Sequence, residues 1–192
     1  MNYTHESGEK EMHPSGDNSC GNTLIIRELE AVLPVLNEIS HPLIGPARGI
    51  SMAYARQGAR TTGDTAAISE GTVIIAADLP VCRMTLTAIR FDPAIRCAAV
   101  LPYDPQIITA AEAMLMEVTT FNRAQEPPGD PTHDWGVAFC CEKSEGVPDV
   151  IYDLGYAEKD PLIRIFGENP TRVLANINRI LSRIINTKFT EE

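Results

Sequence analysis

The sequence has no run or stripe of basic residues. Its 16 lysines and arginines are scattered among 26 aspartates and glutamates, giving a formal net charge of −10 over 192 residues. A nonspecific grip on nucleic acid depends on cations that neutralise phosphates, so nucleic acid is not an expected partner of this chain alone. Nor does any stretch approach the roughly 18 uncharged apolar residues of a membrane span. The first residues are polar and acidic, where a secretory leader would be basic and then apolar. No membrane is expected as a partner, and a cytoplasmic address follows. Cys20, Cys82, Cys97, Cys140 and Cys141 contain no CxxC spacing and are odd in number, which argues against a disulfide framework and against a zinc site. The four histidines, His5, His13, His41 and His133, have no ligand spacing, and no metal is assigned to them. A glycine-rich phosphate loop and a Ser-His-Asp pattern are also missing.

What remains is an ordinary globular composition, 44% hydrophobic and 22% charged, long enough for one domain with a substantial core. Residues 1–22 are rich in Gly, Ser, Glu and Asn and cannot repay the entropy of ordering, so they read as a disordered tail before a domain spanning 23–188. Ile25, Leu29, Val32, Leu33 and Leu36 have helical spacing, which predicts a helix over 24–39 with a kink or restart at Pro34. Strands are predicted at 50–55 and 72–77, both suited to the centre of a sheet. Asp78 is expected to cap a helix with Pro80 in its first turn, running to Arg90 and stopped by Phe91-Asp92-Pro93.

Further on, the pattern predicts a strand at 96–101, a helix from Pro105, a strand at 119–122 and a loop from Arg123 to Asp134. Three more strands follow, at 135–142, 149–153 and 162–167, the last two as a candidate hairpin. In the strand at 135–142, Cys140 and Cys141 would point to opposite faces. Asn169 and Pro170 open a final helix whose stripe of Val173, Leu174, Ile177, Ile180, Leu181 and Ile184 suits packing on a sheet. Alternating strands and helices predict an α/β sandwich around a mixed sheet.

Three stretches carry a resemblance. They are GISMAYARQGART (49–61), LTAIRFDPAIRCAAVLPYD (86–104), and the run from FNRAQEPP (121–128) through THDWGV (132–137) to PDVIYDLGYAEKDPLIRIFG (148–167). Together they resemble the ThiN-type thiamine-phosphate synthase domain, the module that many archaea carry fused behind a phosphomethylpyrimidine kinase. The likeness covers about residues 24–185. It implies a three-layer α/β sandwich similar to class II aldolases, a homodimer, and a reaction joining a pyrimidine pyrophosphate to a thiazole phosphate, with magnesium implied if that synthase activity is retained.

The resemblance also implies what is gone. Where the family has a Gly-Arg pair this chain has Glu70 and Gly71. Where the family opens a helix with Gly-x-Ser-x-His, the chain reads Ala76, Ala77, Asp78, Leu79 and Pro80. Ser51 and Val100 stand where the family has asparagines. The lost arginine and the added Asp78 carboxylate both work against an anion at that helix start. The polar positions that keep the pattern are Arg60, Arg123, Glu126, Asp153, Lys159 and Asp160, which the resemblance makes the candidate ligand-binding set.

Each survivor also has a plainer reading. Lys159 and Asp160 could be a solvated turn pair, Asp153 a turn former ahead of Gly155, Arg60 a surface side chain, and Trp135 a core residue. Three functions stay open at this point. They are a catalytically degenerate domain that binds thiamine phosphate or a related small phosphorylated ligand, a working synthase, and a scaffold or interaction protein that binds no ligand.

Overall fold

The structure, a computed structural model, describes residues 17–44, 49–129 and 132–188. Seven strands form one mixed sheet: β1 (Ser51–Ala55), β2 (Thr65–Ser69), β3 (Thr72–Ile75), β4 (Cys97–Pro102), β5 (Val118–Thr120), β6 (Val150–Asp153) and β7 (Leu162–Gly167). Their order across the sheet is β3-β2-β1-β4-β7-β6-β5, and only the β5–β6 pair is parallel. The helices are α1 (Asp17–Ile44), α2 (Pro80–Phe91), α3 (Pro105–Ala113), α4 (Thr132–Lys143) and α5 (Pro170–Lys188).

Side-chain alternation along the strands divides the core in two. Met52, Tyr54, Ile163 and Ile165 face α1, α3 and α5, where Leu29, Leu36, Ile177 and Ile180 are buried against them. Ala53, Ala98, Ile151 and Phe166 face α2 and α4, meeting Cys82, Met84, Val137 and Cys140. The result is the expected three-layer sandwich, with a central mixed sheet flanked by helices.

Local chemistry explains several boundaries. Asp92 ends α2, its carboxylate accepting the Ala94 N–H at 2.8 Å, and Asn169 opens α5 by accepting the Arg172 N–H at 2.9 Å. All six residues of the predicted α5 stripe are buried. β6 and β7 pair antiparallel as the hairpin reading expected.

Other expectations are corrected. The first helix begins at Asp17 and continues through Pro34 to Ile44; residues 1–16 of the expected tail lie outside the described residues. Asp78 does not cap α2: the cap position is Leu79, with no side-chain bond, and Asp78 instead takes Nη1 of Arg83 at 3.0 Å. The strand at 72–75 is an edge strand with Ile74 and Ile75 exposed, because a strand unread in the sequence, β2, lies between it and β1. Glu70 and Gly71, both at positive φ (51° and 76°), form the two-residue turn of that β2–β3 hairpin.

The largest correction is at 135–142, which is helix α4. Val137, Cys140 and Cys141 are all buried at i, i+3, i+4 spacing, so the two cysteines share the face turned to the sheet. A parallel β5–β6 pair cannot be closed by a tight turn and needs a crossover. α4 supplies it.

Candidate functional site

Arg123, Glu126, Asp153 and Lys159 come together at one end of the sheet. Asp153 is the last residue of β6 and lies on the α2/α4 face, where it is fully buried. Both oxygens are committed: Oδ1 accepts from Arg123 Nε at 2.5 Å and from the Gly155 N–H at 2.8 Å, while Oδ2 accepts from Arg123 Nη2 at 3.0 Å and lies 2.8 Å from Arg164 Nη1. The plain reading of Asp153 as a turn former is therefore true and incomplete.

Arg164 is the member that sequence reasoning missed. It sits mid-strand in β7, paired across to Val100 on one side and Ile151 on the other, and is fully buried. Its guanidinium lies 5.1 Å from the centre of the Phe121 ring, while its Nε and Nη2 have no hydrogen-bond partner among the described residues. Burial pushes its pKa down, and the neighbouring Asp153 carboxylate opposes that shift. Two guanidiniums on one carboxylate leave this cluster with one excess positive charge.

Arg123 is held by a short turn. The Asn122 side chain accepts the Ala124 N–H at 2.9 Å, opening a 3-10 turn at Arg123–Gln125. Two of Arg123's three guanidinium nitrogens are bound to Asp153, and the residue also lines a cavity of about 470 Å³ with Thr120, Asn122, Gln125, Phe139 and Lys143. Lys159 reaches Glu126 at 3.3 Å, joining the β6–β7 turn to the segment after Arg123. That turn is closed on itself: Tyr156 and Lys159 exchange backbone bonds, and a Cβ on Gly155 (φ 74°) would stand 2.5 Å from the Lys159 carbonyl. Asp160 follows Lys159 on the exposed side of the turn.

Arg60 is not part of this group. It lines a separate groove of about 580 Å³ between α2, α4 and the segment after β1, together with Arg83, Arg90, Asp134 and Trp135. Arg83 and Arg90 were not singled out in the sequence, although their seven-residue spacing puts both on one helix face. Trp135 forms the wall between the two spaces. Its ring stacks on Phe139 (centroids 5.3 Å apart) and meets Phe121 edge-on at 5.9 Å, and both of those rings line the cavity beside Arg123.

Among the described residues no group of three His, Cys, Asp or Glu side chains could hold a metal ion. Both Asp153 oxygens hold arginines and Glu126 Oε2 takes Lys159, so a magnesium ion there would be held mainly by a substrate's phosphates and by water. No described helix is long and apolar enough to cross a membrane.

The geometry can be set beside known proteins. The family described as thiamine-phosphate synthase ThiN matches residues 28–179. The chain belongs to the ThiN family. It is 29% identical over 176 residues to the bifunctional thiamine biosynthesis protein ThiDN of Methanocaldococcus jannaschii, covering 85% of this chain and 42% of that protein. This ThiN domain spans about half the length of the curated relatives it matches. Among solved structures it is similar to the C-terminal domain of a phosphomethylpyrimidine kinase, with a TM-score of 0.72, 27% identity, and coverage of 82% of this chain and 98% of that one. It also shares its fold with L-fuculose 1-phosphate aldolase (TM-score 0.51, 10% identity, 92% and 90% covered), which bears out the class II aldolase-like architecture.

Proposed function

We propose that this ThiN domain is catalytically degenerate and binds thiamine phosphate or a related small phosphorylated ligand in the cavity beside Arg123. The observation that carries the reading is the buried Arg123–Asp153–Arg164 cluster, with its excess positive charge, at the wall of a cavity whose rim bears Lys143. In a chain of net charge −10, a buried cationic cluster next to a space of ligand size favours an anion there. Thr120, Asn122 and Gln125 add neutral hydrogen-bonding groups to the same lining.

Loss of catalysis is supported by the positions that the family resemblance ties to the chemistry. Glu70 and Gly71 are a hairpin turn with a carboxylate where the resemblance implies a cation. α2 opens on Leu79 and Pro80, without a serine or histidine, and the nearby Asp78 carboxylate is paired with Arg83. Ser51 and Val100 face each other in register across β1 and β4, where the resemblance implies asparagines. A departing pyrophosphate needs donors and cations aimed at its developing charge, and these replacements remove them. A homodimer, which the resemblance implies, is kept as part of this proposal.

The test is calorimetric titration of the full chain with thiamine phosphate, alongside an assay for product from the pyrimidine pyrophosphate and the thiazole phosphate with magnesium. Saturable heat without product is expected. Lys143→Gln should weaken binding about tenfold, the effect of losing one charge-assisted hydrogen bond. Product formation would overturn the degenerate reading, and the absence of heat would overturn ligand binding.

A further inference from the structure

We infer that a cavity of about 240 Å³ at the far end of the sheet from Asp153 is a binding site of its own, and that it takes a small zwitterion, an α-amino acid with an apolar side chain. Asp153 stands opposite Leu162, where β7 begins, whereas this cavity is lined by Asp149 and Gly167, where β6 begins and β7 ends. Its volume is below the roughly 300–1,000 Å³ of sites for drug-sized ligands, which suits a smaller molecule.

One wall is a face of α5. Arg172, Asn176 and Arg179 line the cavity at successive spacings of four and three residues. Asn176 is 7% exposed, yet its side chain makes no hydrogen bond with any described residue. A buried amide without a partner is costly, and one that lines a cavity can serve a ligand as both donor and acceptor.

The charges around that amide decide the ligand. Glu168 faces Arg172 at 3.9 Å, so these two largely answer each other. Arg179 makes no ion pair with any described residue, and its charge is left unmet. On the strand side, Asp149 Oδ2 accepts the Glu117 N–H at 2.9 Å and the Asp149 carbonyl accepts the Phe166 N–H at 3.0 Å. These bonds fix Asp149 in place and leave its Oδ1 open. A simple anion would meet the Asp149 carboxylate, and a simple cation would meet Arg179. A carboxylate and an ammonium carried on one carbon satisfy both, the carboxylate on Arg179 and Asn176 and the ammonium on Asp149. Ile95, Met114 and Met116 supply an apolar part of the lining, which favours an apolar side chain on that same carbon.

The full chain is titrated by calorimetry with L-leucine and, separately, with its two halves: isocaproate, which lacks the ammonium, and isoamylamine, which lacks the carboxylate. Leucine should give saturable heat, and each half should bind at least about tenfold more weakly, the effect of one lost charge-assisted hydrogen bond. Arg179→Gln should weaken leucine to the same degree. Arg179 is exposed, so its replacement spares the fold and keeps the test valid. Lys143→Gln, on the cavity beside Arg123, should leave leucine binding unchanged. The inference is overturned if leucine gives no saturable heat, if either half binds as tightly as leucine, if Arg179→Gln binds like the parent, or if Lys143→Gln abolishes the binding. Thiamine phosphate is titrated on its own and read by its dependence on Lys143, so the failure of either site is distinguishable from that of the other.

Discussion

Replacing Asp153 by Asn tests how much of the domain's stability rests on this buried carboxylate at the end of β6. Asn keeps the size and keeps an oxygen that can still accept the Gly155 N–H, so the turn bond at 2.8 Å survives. What disappears is the negative charge between Arg123 and Arg164, whose side chains are 4% and 0% exposed. Two guanidiniums are then buried side by side with no counter-charge, and Arg164, with Nε and Nη2 already unpartnered, has little to fall back on. Breaking a buried pair by removing one partner costs about 3–5 kcal/mol, a large share of the roughly 5–15 kcal/mol that holds a typical domain. With urea slopes of about 1–3 kcal/mol per molar, the unfolding midpoint of Asp153→Asn should fall by roughly 1–5 M. The companion variant is Arg164→Met, which removes the excess charge and both unpartnered donors while leaving the Arg123–Asp153 pair. Apolar replacement of a buried ion is often neutral or stabilising, so Arg164→Met should cost much less than Asp153→Asn. A midpoint shift for Asp153→Asn equivalent to less than about 1 kcal/mol, or a larger loss for Arg164→Met, would refute the reasoning.

Gly136→Ala should destabilise the domain even though alanine favours helix by about 1 kcal/mol. Its Cβ would stand 2.4–2.7 Å from the buried Phe121 ring, and overpacking of this kind costs about 1–3 kcal/mol, to be read as a lowered thermal midpoint. Asp64 makes a pH prediction. Burial pushes its carboxyl up, but the Arg60 and Thr61 N–H groups and the Arg56 guanidinium outweigh burial and hold it at about 2 against an ordinary 3.8. Because the folded value is the lower one, the stabilisation is complete above the unfolded value and is lost as pH falls from 3.8 towards about 2. Asp64→Asn should therefore be less stable than the parent at neutral pH, and the gap should close in that acid window in denaturation measured across pH. Burial holds the thiols of Cys140 and Cys141 up to about 12 and about 11, so thiolate-seeking reagents should label them in the native chain far more slowly than after unfolding.

Most of the fold was legible because local rules and tertiary packing agree. The α5 stripe, the Asn169 and Asp92 boundaries and the β6–β7 hairpin each rest on a spacing or a cap that the structure uses. The failures come where a segment is buried on more than one side. In α4, Trp135 and Phe139 flank cavities while Val137, Cys140 and Cys141 face the sheet, so apolar residues surround the helix and its 3.6-residue period is blurred. The apolar run therefore reads as a strand, although Val137, Cys140 and Cys141 have helical spacing. β2 was missed for a different reason. Its sequence, TAAIS, has weak strand propensity, and only pairing on both sides makes it a strand.

The candidate site was legible in its members but not in its charge balance. Family likeness singled out Arg123 and Asp153, whereas Arg164, between Ile163 and Ile165, looks like the outward position of a half-exposed strand. Such alternation marks a solvent face only when that face is open, and here α2 and α4 cover it. The deciding fact is register: β7 lies between β4 and β6, with Arg164 opposite Ile151 and Asp153 opposite Leu162. Arg164 and Asp153 thus become diagonal neighbours on the covered face, within reach of a long side chain. Neither strand's sequence contains that relation. The charge of the site follows from the order of the sheet, which is why the excess cation bordering the cavity emerges only once the strands are paired.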